Sequence, residues 1–139
     1  MKKFTRLERD ALGRLLTAHL QDPNLLANAL TSLVIKSRTF SEDALNKAMC
    51  CGFYIDFENS DLPVEFRNLP PRLAVQAWHR GLPFGADFIF FLNQQNQVFL
   101  EATFYGCSIA IDDVVSDEHE FSFRQKGAEQ FKPARMKSP

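Results

Sequence analysis

The sequence lacks every short motif that would by itself identify an enzyme or a metal site. It has no Cys-x-x-Cys and no His-Glu-x-x-His. The adjacent pair Cys50-Cys51 suits zinc poorly, because thiolates that share one ion are spaced roughly two to four residues apart. No glycine-rich phosphate loop and no Gly-x-Ser-x-Gly nucleophile turn occurs. We therefore expect a non-enzymatic protein with no catalytic residues, no metal and no cofactor.

Cysteines are also few, and the charges nearly balance. Three cysteines, an odd number, and an N-terminal segment without the apolar run of a signal peptide indicate reduced thiols. A net charge of -1 gives no overall attraction to nucleic acid or to an anionic membrane. No stretch approaches the roughly 20 apolar residues of a membrane span. We expect a cytoplasmic protein that binds no membrane, and nucleic acid is a disfavoured partner.

Phenylalanine is the abundant residue, with 14 copies against one Trp and two Tyr. A core rich in Phe buries a large apolar area without ring polar groups that need partners. A chain of 139 residues is long enough for one domain that needs no disulfide or metal. We predict a single domain over residues 1–125 and a basic, flexible tail over residues 126–139.

Two helices are predicted at the start of the chain. Thr5 opens a capping box, and leucines at helical spacing extend the helix over residues 6–20. Asp22 followed by proline is typical of an N-cap and a first helical position, so a second helix is predicted over residues 23–33. The short linker between them predicts a helical hairpin.

The rest of the chain is predicted to form strands, with one further helix. Ser41 is placed as the N-cap of a short helix over residues 42–49, which Gly52 ends. β-Branched and aromatic residues predict the strands, at 34–40, 53–57, 73–78, 88–92, 98–105 and 120–124, with brief pairing at 64–66. Helices first and strands afterwards indicate an α+β fold, with the helical hairpin packed on a mainly antiparallel sheet of about four to six strands.

The predicted hairpin of residues 88–105 is the part of the sheet that could form a binding site. Its first strand is apolar on both faces, which predicts a central strand covered on both sides. The second strand has one apolar face, and the other face carries Phe99, Glu101, Thr103 and Tyr105. That face is either a sheet surface open to solvent or the wall of a small-molecule site. In the latter, Glu101 would be the base or ligand anchor, with His79 as its acid/base partner.

The acidic run over residues 112–120 is the second candidate feature. It holds five carboxylates, namely Asp112, Asp113, Asp117, Glu118 and Glu120. The run lacks the glycine and the alternating ligands of an EF-hand loop, so calcium binding is disfavoured. It is either a solvated loop or a surface that presents negative charge to a basic partner, where such charge speeds encounter and rejects wrong partners.

Three segments of the chain resemble a known group of proteins. They are FTRLERDALGRLL at the start, GFYIDF in the middle and FLEATFYG, which contains Leu100, Glu101 and Tyr105. In these segments the chain is similar to small bacterial α+β proteins of the immunity type. Such proteins belong to toxin–immunity systems, including contact-dependent growth inhibition. The resemblance implies neutralisation of one cognate toxin by tight direct binding.

A set of partner-binding residues follows from that resemblance together with the surface patterns. The predicted contacts are the five carboxylates of the acidic run, with Tyr54, Tyr105 and Glu101 beside them. A nuclease is one candidate toxin, because the acidic run would fit a basic, phosphate-binding active site. The alternative is a small-molecule-binding protein or an enzyme that uses the sheet face around Glu101.

Overall fold

The computed structural model describes residues 3–58, 64–94 and 97–123. In chain order its elements are α1 (Arg6–Thr17), α2 (Pro23–Ser32), β1 (Ile35–Glu42), β2 (Met49–Phe57), a 3-10 turn (Val64–Asn68), β3 (Arg72–Trp78), β4 (Ala86–Gln94), β5 (Gln97–Phe104), β6 (Ile109–Ala110), α3 (Ile111–Val114) and β7 (Ser122–Phe123). The predicted α+β fold with an N-terminal helical hairpin is confirmed. The predicted basic tail over residues 126–139 lies outside the described residues.

The described strands form one antiparallel sheet whose order differs from their order along the chain. The neighbours run β1-β2-β5-β4-β3-β7, and β6 pairs with the start of β2. The sheet has seven strands because it includes two strands of two residues each, β6 and β7. α1 packs on β3 and β4, and α2 packs against α1, so the helical hairpin lies on one face of the sheet.

Local signals account for both helices of the hairpin. The Thr5 hydroxyl accepts the Glu8 amide at 3.1 Å, and the Glu8 carboxylate accepts the Thr5 amide at 2.9 Å. The Asp22 carboxylate accepts the Asn24 amide at 2.9 Å and begins α2. α1 ends at Thr17, earlier than predicted, and the chain turns there while still burying Leu20.

The predicted helix over residues 42–49 is wrong. β1 runs to Glu42 and β2 begins at Met49, so these residues form a turn and Gly52 lies inside a strand. Two side chains accept hydrogen bonds from backbone amides that would otherwise bond carbonyls within a helix. Asp43 accepts the Leu45 amide at 2.8 Å, and Asn46 accepts the Ala48 amide at 3.0 Å. The brief pairing predicted at residues 64–66 is also wrong, because they begin the 3-10 turn.

The core lies between the sheet and the helices, and among residues 3–58, 64–94 and 97–123 no helix or strand covers the other face of the sheet. Phe88 and Phe90 on β4 are fully buried, and Phe53 on β2 packs edge-on against Phe88 with ring centroids 6.0 Å apart. β4 is central, as predicted, but the prediction of two covered faces is wrong. Ile89 and Phe91 point away from the helices and remain partly exposed. We call this uncovered side the open sheet face.

Candidate functional site

The structure separates the predicted partner-binding residues into two groups. Tyr54, Glu101 and Tyr105 belong to the open sheet face. The acidic run begins in α3, which follows β6 at the end of the sheet where β1 ends and β2 starts. We call that end the loop end, because the turns over residues 43–48, 79–85 and 105–108 also lie there.

Aromatic rings cross the open sheet face in a continuous row. Tyr54 and Phe99 have ring centroids 4.9 Å apart, and Phe99 stacks on Phe91 at 4.5 Å. The Arg72 guanidinium lies 5.8 Å from the centre of the Phe91 ring, at the other end of the row. The row therefore spans β2, β5, β4 and β3 on the side that the helices leave uncovered.

Carboxylates flank these rings and make the face acidic. Partial burial raises the pKa of Tyr54, and the nearby charges of Asp56 and Glu101 raise it further. The Tyr105 hydroxyl donates to Asp87 at 2.7 Å, and this hydrogen bond is the main cause of the raised pKa of Tyr105. Both phenols therefore stay protonated at neutral pH and can act as hydrogen-bond donors.

The proposed acid/base pair of His79 and Glu101 does not form. His79 is buried, and its Nε2 lies 2.8 Å from an Asp113 oxygen while its Nδ1 accepts the Gly81 amide at 2.9 Å. Glu101 lies across from Tyr54 on the open sheet face. Since both ring nitrogens of His79 are engaged, the ring holds the turn of residues 79–85 to α3 and has no nitrogen facing a substrate.

His119 is engaged in the same way at the start of α1. Its Nε2 lies 2.9 Å from an Asp10 oxygen, and its Nδ1 accepts the Phe121 amide at 3.1 Å. These two bonds fix the segment between α3 and β7 against the first helix. Sequence reasoning missed both Asp partners, because they lie 34 and 109 residues away from their histidines.

Hydrogen bonds between the turns make the loop end a single connected unit. The Ser108 hydroxyl donates to Asp43 at 2.8 Å, and the Ile111 amide donates to the Ala48 carbonyl at 2.9 Å. The pKa of Asp43 is lowered, first by the Leu45 amide and then by the Ser108 hydroxyl, so its charge is part of this bonding. The Tyr105 amide donates to the Gly85 carbonyl at 3.1 Å and joins the third turn.

Large apolar side chains project from the loop end into solvent. Leu45 is 97% exposed, Phe84 76% and Val115 40%. Sequence reasoning missed Leu45 and Phe84, because it placed the first in a short helix and assigned no role to the second. The available signal was a large apolar residue beside turn-forming Asp, Asn, Pro and Gly.

The acidic run contributes less free charge than its composition suggests. Asp113 bonds His79, and Glu120 pairs with Arg80 at 2.7 Å. The exposed carboxylates of Asp112, Asp117 and Glu118 make no ion pair with a described residue. Across residues 42–48, 79–85 and 105–120 there are still seven acidic residues against two basic ones, so the loop end is acidic.

Comparison of the chain with protein-family models, with curated proteins and with solved structures gives no match. Function is therefore inferred from the two surfaces described above.

The described part of the chain has neither a metal-binding cluster nor a membrane-spanning helix. Residues 3–58, 64–94 and 97–123 contain no group of three or more His, Cys, Asp or Glu side chains that could hold a metal ion. No helix among them is long and apolar enough to cross a membrane. All three cysteines are free thiols, and burial raises the pKa of Cys50.

Proposed function

We propose that this chain is a cytoplasmic, non-enzymatic protein of the immunity type that neutralises a cognate toxin by tight direct binding. The loop end is the docking surface. The observation that carries the proposal is the exposure of Leu45 and Phe84 on turns that are themselves held in place. Single exposed apolar residues are ordinary on protein surfaces, but several grouped at one end of a sheet are typical of an interaction site.

The turns that carry the two apolar side chains are preorganised for binding. Leu45 lies in a turn whose backbone amides donate to the side chains of Asp43 and Asn46, and the Asp43 carboxylate also accepts the Ser108 hydroxyl of the neighbouring β5–β6 turn. Phe84 follows Leu82, which is fully buried and fixes that turn to the core. A rigid turn loses little conformational entropy when it enters a partner's pocket, so more of the burial energy appears as affinity.

The charge around these residues specifies the chemistry of the partner. Leu45 and Phe84 share the loop end with the exposed carboxylates of Asp112, Asp117 and Glu118, and the cations Lys47 and Arg80 of that end are paired with Glu42 and Glu120. Such a surface repels nucleic acid and attracts a basic protein. A toxin that acts on nucleic acid fits this requirement, because its active site must bind phosphate.

Truncating the two apolar side chains tests the docking surface. We expect the double variant Leu45→Ala/Phe84→Ala to bind the toxin at least about 100-fold more weakly, since each buried side chain contributes roughly 1.5–3 kcal/mol. We take the protein encoded immediately upstream in the genome as the candidate toxin, and its dissociation constant is measured by calorimetry. Because both side chains are exposed, the midpoint of thermal unfolding should not change.

Val34 and Val64 provide the matched control. They are 42% and 57% exposed and lie at the opposite end of the sheet. The variant Val34→Ala/Val64→Ala should bind the upstream protein with unchanged affinity. Equal losses in the two double variants, or no loss in the first, would contradict the assignment of the loop end. Absence of any complex with the upstream protein would contradict its assignment as the toxin.

Charge reversal tests the acidic part of the same surface. We expect Asp112→Lys/Asp117→Lys/Glu118→Lys to lower the association rate constant by roughly 10-fold or more at low salt, with a smaller effect on dissociation. Asp113 is left intact because it bonds the buried His79. Stopped-flow mixing with the upstream protein measures the rate.

The control for charge reversal compares single substitutions at the two ends of the sheet. Glu58 is exposed and follows β2 at the end away from the loop end. Glu58→Lys changes the net charge by the same amount as Asp112→Lys but should leave the association rate nearly unchanged. Equal slowing by both would show a general charge effect and remove the acidic run from the interface.

A further inference from the structure

Four side chains on β2 and β5 form a square on the open sheet face. Tyr54 pairs with Glu101 across the two strands, and Asp56 pairs with Phe99. The rings therefore meet along one diagonal, at a centroid distance of 4.9 Å, and the carboxylates lie on the other diagonal. All four side chains are partly exposed, so they can be reached from solvent.

The two carboxylates of this square have no cation among the described residues. Asp56 accepts only a long bond of 3.5 Å from the Ser37 hydroxyl, and Glu101 makes no side-chain hydrogen bond with a described residue. Diagonal positions on paired strands are about 7–8 Å apart, so the two negative charges repel each other across the rings. A cation placed between them would remove that repulsion.

The same row of rings already shows what such a cation could be. At its other end the Arg72 guanidinium lies over the face of Phe91, 5.8 Å from the ring centre. Guanidinium groups stack on aromatic faces and donate bidentate hydrogen bonds to carboxylates. The Tyr54 end offers both kinds of contact, since it has a ring face and two carboxylates, and the opposing β1 residue is the small Thr39.

We propose that the square of Tyr54, Asp56, Phe99 and Glu101 binds the guanidinium of an arginine on the protein partner. The guanidinium would lie over the rings and donate hydrogen bonds to Glu101 and Asp56. This deepens the proposed function, because it names a contact that a basic toxin would make beyond the loop end. The carboxylates disfavour the other use of exposed rings on a sheet, which is stacking of nucleic-acid bases.

A titration without any toxin tests the site directly. The probe is the capped tripeptide acetyl-Gly-Arg-Gly-amide, added to the isotope-labelled full chain and followed by NMR. We expect saturable shifts at Tyr54, Phe99 and Glu101. The citrulline peptide, which has the same shape without the charge, should bind at least about 10-fold more weakly. Equal binding of citrulline, or no saturable shift at these residues, would overturn the proposal.

Variants on the same face make the test specific. Asp56→Asn/Glu101→Gln keeps the shape of the square and should abolish the shifts caused by the arginine peptide. Asp87→Asn removes another carboxylate of the open sheet face, one that already accepts the Tyr105 hydroxyl, and should leave those shifts unchanged. The amide spectrum of each variant reports whether it is folded. Loss of binding in Asp87→Asn alone, or retention in the double variant, would contradict the site.

A lysine peptide separates guanidinium recognition from simple attraction of positive charge. Lysine carries a point charge without the planar donor group, so it should bind more weakly than arginine. Equal affinity would overturn the assignment to arginine. The outcome does not depend on the loop-end variants: the titration can fail while the upstream protein still binds Leu45 and Phe84, or succeed where that protein does not bind.

Discussion

Replacing Arg38 with methionine is expected to lower the free energy of unfolding by about 3–5 kcal/mol. Arg38 on β1 holds Glu8 of α1 with two bonds, Nε to Oε2 at 2.6 Å and Nη2 to Oε1 at 2.7 Å. The Glu8 side chain is only 2% exposed, so the variant would leave a carboxylate buried beside the Thr5 amide alone. The Lys3 carbonyl would also lose its bond from Arg38, which is 2.8 Å long.

The pair of Arg6 and Asp10 on the same helix is the control. It is also an Arg–carboxylate contact, at 3.2 Å, but its side chains are 58% and 35% exposed. Arg6→Met should therefore cost no more than about 0.5 kcal/mol. Urea unfolding of the two single variants measures the difference. A similar, small loss of unfolding free energy in both variants would mean that the buried Glu8–Arg38 pair stabilises the fold no more than the exposed pair does.

The helices could be predicted because their determinants are local. The contacts of Thr5 with Glu8, and of Asp22 with Asn24, join residues within three positions of each other. The wrong prediction of a helix over residues 42–49 also has a local cause. Asp43 and Asn46 can end a strand and bond a turn as readily as they can begin a helix, and pairing of β1 with β2 decides between them.

The candidate surfaces could be predicted only in part. Alternation along the hairpin correctly placed Phe99 and Glu101 on one face. Their closest partners on β2 could not be inferred, because β2 joins β5 across a long stretch of chain and no local pattern encodes that register. The exposure of Leu45 and Phe84 likewise depends on which tertiary contacts each turn makes, and a sequence pattern does not contain that information.

Gly52 gives the second large expected effect, and its role differs from the helix end that the sequence suggested. It lies in β2 with a φ angle of 153°, opposite Thr103 of β5. A Cβ atom added there would overlap the Ala102 carbonyl oxygen and lie 3.4 Å from the Thr103 Cα, so the two backbones could not keep their approach. Both obstacles are backbone atoms, which cannot move aside without disturbing the pairing of β2 with β5.

Gly52→Ala is therefore expected to destabilise the fold by about 2–5 kcal/mol, from backbone strain and overpacking together. Gly13→Ala is the control, and it is expected to raise the free energy of unfolding. Apart from the adjoining residues and the backbone of its own helix, nothing lies within 4 Å of the position its Cβ would take, and alanine in a helix interior is favoured over glycine by about 0.5–1 kcal/mol. Urea unfolding of both variants measures the two changes. Gly52 lies two residues before Tyr54, so Gly52→Ala should also weaken binding of the arginine peptide. A Gly52→Ala protein of unchanged stability, with unchanged NMR shifts at Tyr54, would contradict the close approach of β5 to β2.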